Sequence, residues 1–172
     1  MNNWVCRVGL VLLCVPLLLL TSCGEQVVVP PITDGFTCYA DMTYQEMELK
    51  GKLTCGKDGT VQMQFDEPKS LKGITLRWDG NEMKMMLGEM SMSVPQEKVP
   101  QGALLYCLAQ VMAADPKEGK AVDDRYVITG EMEGKTYELV CDPQTGTPLT
   151  LSIPEEELTA TFTEFQSLKP EE

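Results

Sequence analysis

Apolar and polar side chains alternate along most of the chain between residues 36 and 166. The alternation runs through residues 36–44, 47–55, 61–66 and 158–162, and turn signals such as Lys57-Asp58-Gly59 separate the runs. A period of two residues places successive side chains on opposite faces of a strand, so each segment is expected to bury one face. The pattern predicts a mainly β fold of about eight to ten antiparallel strands.

An amphipathic helix is predicted within residues 101–114, where apolar side chains recur at helical rather than strand spacing. These side chains are Leu104, Leu105, Leu108, Val111 and Met112. Asp115-Pro116 is expected to end the helix. A sheet of this size must curl or pack, and the apolar stripe of the helix needs a surface to cover. We therefore expect a strongly curved antiparallel sheet, an open half-barrel, with the helix across its concave face. A closed eight-stranded barrel is the alternative.

The N-terminal residues have the features of a secretory signal. Residues 8–20 are almost entirely apolar, Arg7 precedes them, and the first acidic residue is Glu25. The run is about as long as a signal-peptide core, and it is shorter than the roughly 20 residues that cross a bilayer.

The next residues, Leu20-Thr21-Ser22-Cys23, resemble the lipobox of bacterial lipoproteins. That resemblance implies cleavage after Ser22 and thioether lipidation of Cys23, which becomes an acylated N-terminus. Two or more acyl chains give stable attachment, here to the extracytoplasmic face of the cell membrane. The alternative is an ordinary signal peptide, or a short anchor helix, in which the cysteine is incidental.

The expected organisation along the chain follows from these segments. Residues 1–22 are the signal peptide, and residues 23–35 are the lipidated N-terminus and a linker. Residues 36–166 form a single β domain, and residues 167–172 form a frayed tail. A domain of this length is able to bury a core.

Composition restricts the classes of function. The chain has 26 acidic and 14 basic residues, a net charge of −12. Such a surface repels nucleic acid and anionic headgroups, so we expect no nucleic-acid partner and attachment to the membrane through lipid alone. The chain has no histidine, which excludes Ser-His-Asp and Cys-His nucleophile systems and argues against a zinc site. We expect no catalytic activity, no metal and no cofactor.

Four cysteines follow Cys23: Cys38, Cys55, Cys107 and Cys141. An extracytoplasmic location permits disulfides without requiring them, and four cysteines allow three pairings. Cys38 and Cys55 fall on neighbouring predicted strands, which makes them the first pair to consider. The alternative is that all four are small buried apolar residues.

Methionine is abundant, with 11 residues in the chain. Most fall on the inward phase of the predicted strands, and methionine adapts to apolar partners of varied shape. A concave face lined in this way is a candidate ligand site, although such residues also fill gaps in ordinary cores. The candidate residues are Met63, Met83, Met85, Met90, Met92, Leu104, Leu108 and Met112.

A family resemblance lies in the segments Phe65-Asp66-Glu67-Pro68, Leu71-Lys72-Gly73-Ile74 and Trp78-Asp79-Gly80-Asn81-Glu82-Met83. These segments are followed by a methionine-rich strand, a helix and a final set of antiparallel strands. This order resembles the LolA-like lipoprotein-carrier superfamily. A subgroup from Gram-positive spore formers, which includes spore-germination lipoproteins, has a similar lipobox and domain length. The resemblance implies a half-barrel with a helix lid and an apolar cavity for a lipid or a lipidated client. Carriers proper are soluble shuttles, whereas this chain has an anchor signal.

Two functions are therefore expected as alternatives. The first is a lipid-anchored binding protein that holds an acyl chain or an apolar client segment in its concave face. The second is a structural lipoprotein with a packed core, which recruits a protein partner or forms a homodimer through exposed strand edges.

Overall fold

A computed structural model describes residues 35–113 and 119–168. The predicted signal peptide, Cys23, most of the linker, the helix stop at Asp115-Pro116 and residues 169–172 lie outside these described residues. The described part contains 11 strands and one α-helix. The strands before the helix are β1 (Phe36–Tyr44), β2 (Met47–Cys55), β3 (Val61–Glu67), β4 (Ile74–Trp78), β5 (Glu82–Leu87) and β6 (Met90–Pro95). The helix α1 (Leu104–Ala113) precedes β7 (Lys120–Val122), β8 (Arg125–Met132), β9 (Lys135–Cys141), β10 (Pro148–Ile153) and β11 (Leu158–Ser167).

All the strands belong to one antiparallel sheet. Their order is β6-β5-β4-β3-β2-β1-β11-β10-β9-β8-β7, so β1 and β11 pair in the middle and β6 and β7 form the two edges. The edges do not pair with each other, so the sheet is open. This confirms the predicted open half-barrel and shows that the closed barrel, the alternative, was wrong.

The curvature of the sheet follows from the contacts of one helix side chain. The Tyr106 ring packs edge-on against Trp78 of β4, with ring centroids 5.3 Å apart. Its hydroxyl donates a hydrogen bond of 2.7 Å to Glu133 Oε1 in the β8–β9 turn. In a flat sheet with ~4.8 Å between strands, β4 and β9 would be about 29 Å apart. One tyrosine reaches both, so the sheet bends around the helix, which lies across the concave face as predicted.

The period-two pattern sets which face of the sheet is buried. Met42 of β1 lies opposite Leu49 of β2 and Ala160 of β11, and all three side chains are buried. The opposite face is polar, and on it Lys50 Nζ contacts Asp41 Oδ2 at 2.7 Å. Because the same phase is kept from β1 to β3 and from β8 to β11, one continuous apolar face forms the core.

Turn residues act as the sequence predicts. Asp79 Oδ1 accepts hydrogen bonds from the backbone N–H groups of Asn81 and Glu82, each 3.0 Å long. These bonds close the turn between β4 and β5. A bulge precedes Phe165, because the register of β1 and β11 shifts there and Glu164 has a φ of 54°.

Three local features differ from the sequence prediction. The helix begins at Leu104 and is preceded by a turn in which the Ala103 N–H bonds to the Pro100 carbonyl at 2.9 Å. Strand β7 was not predicted from the sequence, and its three residues form a strand by pairing with β8. Strand β11 extends to Ser167, and the Leu168 N–H bonds to the Gly35 carbonyl, so the tail begins later than predicted.

Candidate functional site: an apolar groove beside the helix

Two tyrosines hold the helix on the concave face. Tyr106 spans from β4 to the β8–β9 turn, as described above. Tyr44, at the end of β1, donates a hydrogen bond of 2.6 Å to the carbonyl of Gly102, just before the helix. A Cβ at position 102 would come close to the Glu156 carboxylate, and that flexible side chain would have to shift to make room. These contacts fix where the start of the helix lies relative to the sheet.

The middle of the helix leaves no space against the sheet. Cys107 and Leu108 have no exposed surface. Met63 of β3, a strand that the helix contacts, has no exposed surface. This part of the concave face is a packed core.

The start of the helix, in contrast, borders an open groove of about 540 Å³. The groove lies between the segment 100–105, the concave faces of β4 and β5, and the β1–β2 turn. None of the described residues that line it is charged. They are Tyr44, Gln45, Met47, Leu49, Phe65, Leu71, Ile74, Leu76, Met83, Met85, Pro100, Gly102, Ala103, Leu104 and Leu105.

The groove exists because the helix is short relative to the sheet. The helix contacts β3 and β4 and leaves the outer strands β5 and β6 largely uncovered. Met85 is 37 % exposed although it follows the same inward phase as Met63. An inward-facing side chain beyond the reach of the helix therefore lines a groove instead of a core.

The predicted ligand residues separate into three groups. Met83, Met85 and Leu104 line the groove. Met63 and Leu108 are fully buried in the core, and Met112 is half-buried against it. Met90 and Met92 lie on β6, where they are 69 % and 56 % exposed.

The exposed methionines continue the groove toward the edge of the sheet. Met85 is paired with Met92, and Leu87 is paired with Met90, so these four side chains share the concave face. We call them the edge strip: Met85, Leu87, Met90 and Met92. Large exposed apolar patches on a folded domain mark binding surfaces more often than single exposed apolar residues do.

Several lining residues escaped the sequence prediction. Ile74 and Leu76 of β4 have the same inward phase as Met83 and Met85, and this signal was present in the sequence. Tyr44 and Ala103 come from elements far apart in the chain, and only their tertiary contact places them in one groove.

The electrostatics of the groove are simple. Among the lining residues the structure describes, Tyr44 is the one with an ionisable side chain, and burial raises its pKa above the ordinary value of 10.0. A close ion pair between Lys135 and Glu156 lies nearby, next to Gly102. The groove thus presents a neutral, apolar surface over the whole physiological pH range.

All four described cysteines are buried free thiols. Cys38 and Cys55 do lie on neighbouring strands, but they are diagonal, because Cys38 faces Leu53 and Cys55 faces Phe36. The thiols are free in this structure, which therefore shows none of the three pairings that four cysteines allow. Burial raises the pKa of Cys38 to about 12 and the pKa values of Cys107 and Cys141 to about 11.

Within residues 35–113 and 119–168, no group of His, Cys, Asp and Glu side chains is placed to hold a metal ion. The same ranges contain no helix long and apolar enough to cross a bilayer.

Comparison with known proteins shows the fold. No family model matches the sequence, and no curated protein matches it significantly. An uncharacterized conserved protein from Thermus thermophilus is similar in structure, with a TM-score of 0.52 and 13% identity over 81% of this chain and 82% of that chain. At this identity the similarity establishes a shared fold and nothing further.

Two other solved structures are more distant. A LolA-superfamily protein from Nitrosomonas europaea has a TM-score of 0.41 and 8% identity over 85% of this chain and 90% of that one. A putative outer membrane lipoprotein-sorting protein domain from Vibrio parahaemolyticus has a TM-score of 0.43 and 7% identity, with coverages of 83% and 89%. Both scores are below 0.5.

Proposed function

We propose that this chain is a lipid-anchored, extracytoplasmic protein that binds a single apolar chain in the groove beside its helix. The ligand is an acyl chain or an apolar segment of a client protein. The observation that carries this proposal is an open groove of about 540 Å³ with no charged residue among its described lining residues. Pockets that bind small apolar ligands are typically concave, apolar and of this size.

The volume of the groove indicates the size of the ligand. The groove, at about 540 Å³, is of the size of pockets that hold one long apolar chain. Each methylene that leaves water for an apolar site contributes about 0.8 kcal/mol. Burial of a single long acyl chain in the groove therefore supplies enough free energy for binding.

The anchor defines where the protein acts. Lipidation at Cys23 is the attachment we propose, and a linker of about ten residues reaches only about 30 Å when fully extended. The domain then stays close to the membrane that holds it. It is suited to accept or present an apolar chain at that surface, and it is unsuited to shuttle cargo across a compartment.

The packed part of the core supports a second candidate, an interaction lipoprotein that recruits a protein partner. In that case the middle of the helix is purely structural, as the complete burial of Cys107 and Leu108 allows. The groove is then an incidental gap that holds no ligand. The two candidates differ in whether an apolar molecule occupies the groove.

The experiment is to identify what co-purifies with residues 24–172 expressed without the signal peptide. Mass spectrometry of an organic extract is expected to detect a long-chain lipid in a ratio approaching one per chain. The matched variants are A103W, which places an indole in the groove, and A121W, which places one on exposed β7. Loss of the lipid from A103W but not from A121W supports the proposal. Equal amounts of lipid in both variants, or none in the unmodified chain, contradict it.

A further inference from the structure

The two edges of the sheet are protected to very different degrees. Edge strand β7 has three residues, begins with Lys120 and is followed by Asp123-Asp124. Edge strand β6 has six residues, and none of its side chains is charged. Its pairing with β5 is regular, without a bulge. Natural proteins shield exposed edges with lysine, proline, bulges or short strands, and between Met90 and Val94 strand β6 has none of these.

The turn before β6 determines which backbone groups are free. Gly88 and Glu89 form a two-residue turn, with a φ of 58° at Gly88, so the turn hydrogen bond joins Leu87 and Met90. Hydrogen-bonded pairs alternate along an antiparallel ladder, so Met92 also bonds to β5. Ser91 and Ser93 lie between the residues that bond to β5. Their N–H and C=O groups then point away from the sheet.

We propose that β6 pairs antiparallel with β6 of a second copy of this chain, about a two-fold axis at Met92. In this register Ser91 of one copy lies opposite Ser93 of the other. The outward N–H and C=O groups of both serines are then satisfied. Met92 lies opposite itself in a pair without hydrogen bonds, where the two side chains come closest.

Side-chain complementarity favours a second copy over an unrelated strand. The pairing brings Met90 of one chain against Val94 of the other, and it covers part of the edge strip, including Met92, which is 56 % exposed. Glu89 falls opposite Pro95, so no like charges face each other across the new ladder. This matters in a chain with a net charge of −12, because like charges oppose the association of two copies.

The dimer has a consequence for the concave face. The edge strips of the two copies become continuous across the axis, since Met85 and Met92 share that face. The two grooves then open onto one apolar surface that is twice as long. The pairing depends on the β6 edge and not on ligand occupancy, so its failure and the failure of the binding function are separate outcomes.

Disulfide crosslinking of the full chain in its membrane tests the register. In the proposed ladder the two Met92 Cα atoms are about 4.5 Å apart, within the range that a disulfide bridges. M92C is expected to form a covalent dimer on mild oxidation, which doubles the mass on a non-reducing gel. S93C is the matched control, because the two Ser93 Cα atoms are about 8 Å apart in this register. The double variant S91C/S93C is expected to crosslink, since the register pairs these positions.

The unmodified chain controls for the native cysteines, of which the four described are buried. A second measurement is the mass of the full chain in nonionic detergent by light scattering. The unmodified chain is expected to be a dimer. M92K is expected to be a monomer, because the substitution places two positively charged side chains opposite each other at the axis. A monomeric unmodified chain, absence of a dimer from folded M92C, or stronger crosslinking of S93C than of M92C overturns the proposal.

Discussion

Leu108 provides the strongest test of how the helix is seated. Its side chain has no exposed surface and lies in the middle of the helix, where the core is fully packed. Truncation to alanine removes buried methyl groups and leaves a cavity that the neighbours fill only partly. We expect Leu108→Ala to lower the free energy of unfolding by about 2–5 kcal/mol.

Two further leucines provide matched comparisons with the same chemistry. Leu87, in the edge strip, is 44 % exposed, so Leu87→Ala is expected to cost less than about 1 kcal/mol. Leu76 lines the groove and is half-buried, so its truncation widens an existing groove and is expected to have an intermediate cost. Urea unfolding, followed by circular dichroism, measures the loss of stability in all three variants. A shift of the midpoint at constant m-value reports a change in the free energy of unfolding. A loss from Leu108→Ala no larger than that from Leu87→Ala refutes the packed core beneath the helix.

Three other predictions concern the anchor, the helix contacts and the thiols. Cys23→Ala is expected to move the protein from the membrane to the soluble fraction of lysed cells, and continued tight retention on membranes contradicts lipidation. Tyr106→Phe is expected to cost about 1.5–3 kcal/mol by urea unfolding, because its hydroxyl donates to the Glu133 carboxylate; a loss near zero shows that this bond does not hold the helix. Burial raises the pKa of Cys38 to about 12 from 9.0, so the unfolded state loses this proton first and stability is expected to fall as the pH rises above about 9. Denaturation at pH values on either side of 9 checks the sign, and stability that increases with pH there contradicts it.

The strand faces were predictable from the sequence because their signal is local. Met42, Leu53 and Met63 follow a period of two, and all three are buried as the period requires. The open sheet was also predicted from the sequence, because the sequence indicates many half-buried strands and a single helix to cover their concave face. Strand β7 escaped prediction because three residues that include a lysine carry no detectable period, and only their pairing with β8 makes them a strand.

The groove was only partly predictable, because it depends on where one element ends against another. Met63 and Met85 have equivalent positions in their strands and looked alike in the sequence. One is buried and the other is 37 % exposed, because the helix packs mainly on β3 and β4 and leaves the outer strands largely uncovered. That difference is set by the hydrogen bond from Tyr44 to Gly102 and the contacts of Tyr106, which join residues far apart in the chain.

The absence of charge from the groove gives the site a simple pH dependence. Tyr44 is the ionisable residue among the described lining residues, and its pKa is raised above 10.0 by burial. Binding of a neutral apolar chain should therefore not vary with pH in the physiological range. This insensitivity separates the groove from sites that recognise a charged headgroup.

If the groove accepts one apolar chain, as we propose, its affinity for fatty acids depends on their chain length. The assay measures how well fatty acids of about ten to about twenty carbons displace a fluorescent analogue from residues 24–172. The same measurement is made on the A103W and A121W variants. We predict that affinity rises about fourfold per methylene, equivalent to about 0.8 kcal/mol, and levels off within this range once the chain outgrows the groove. We also predict that A103W loses this binding and A121W retains it. Absence of saturable binding, or equal binding by A103W and A121W, would contradict the claim.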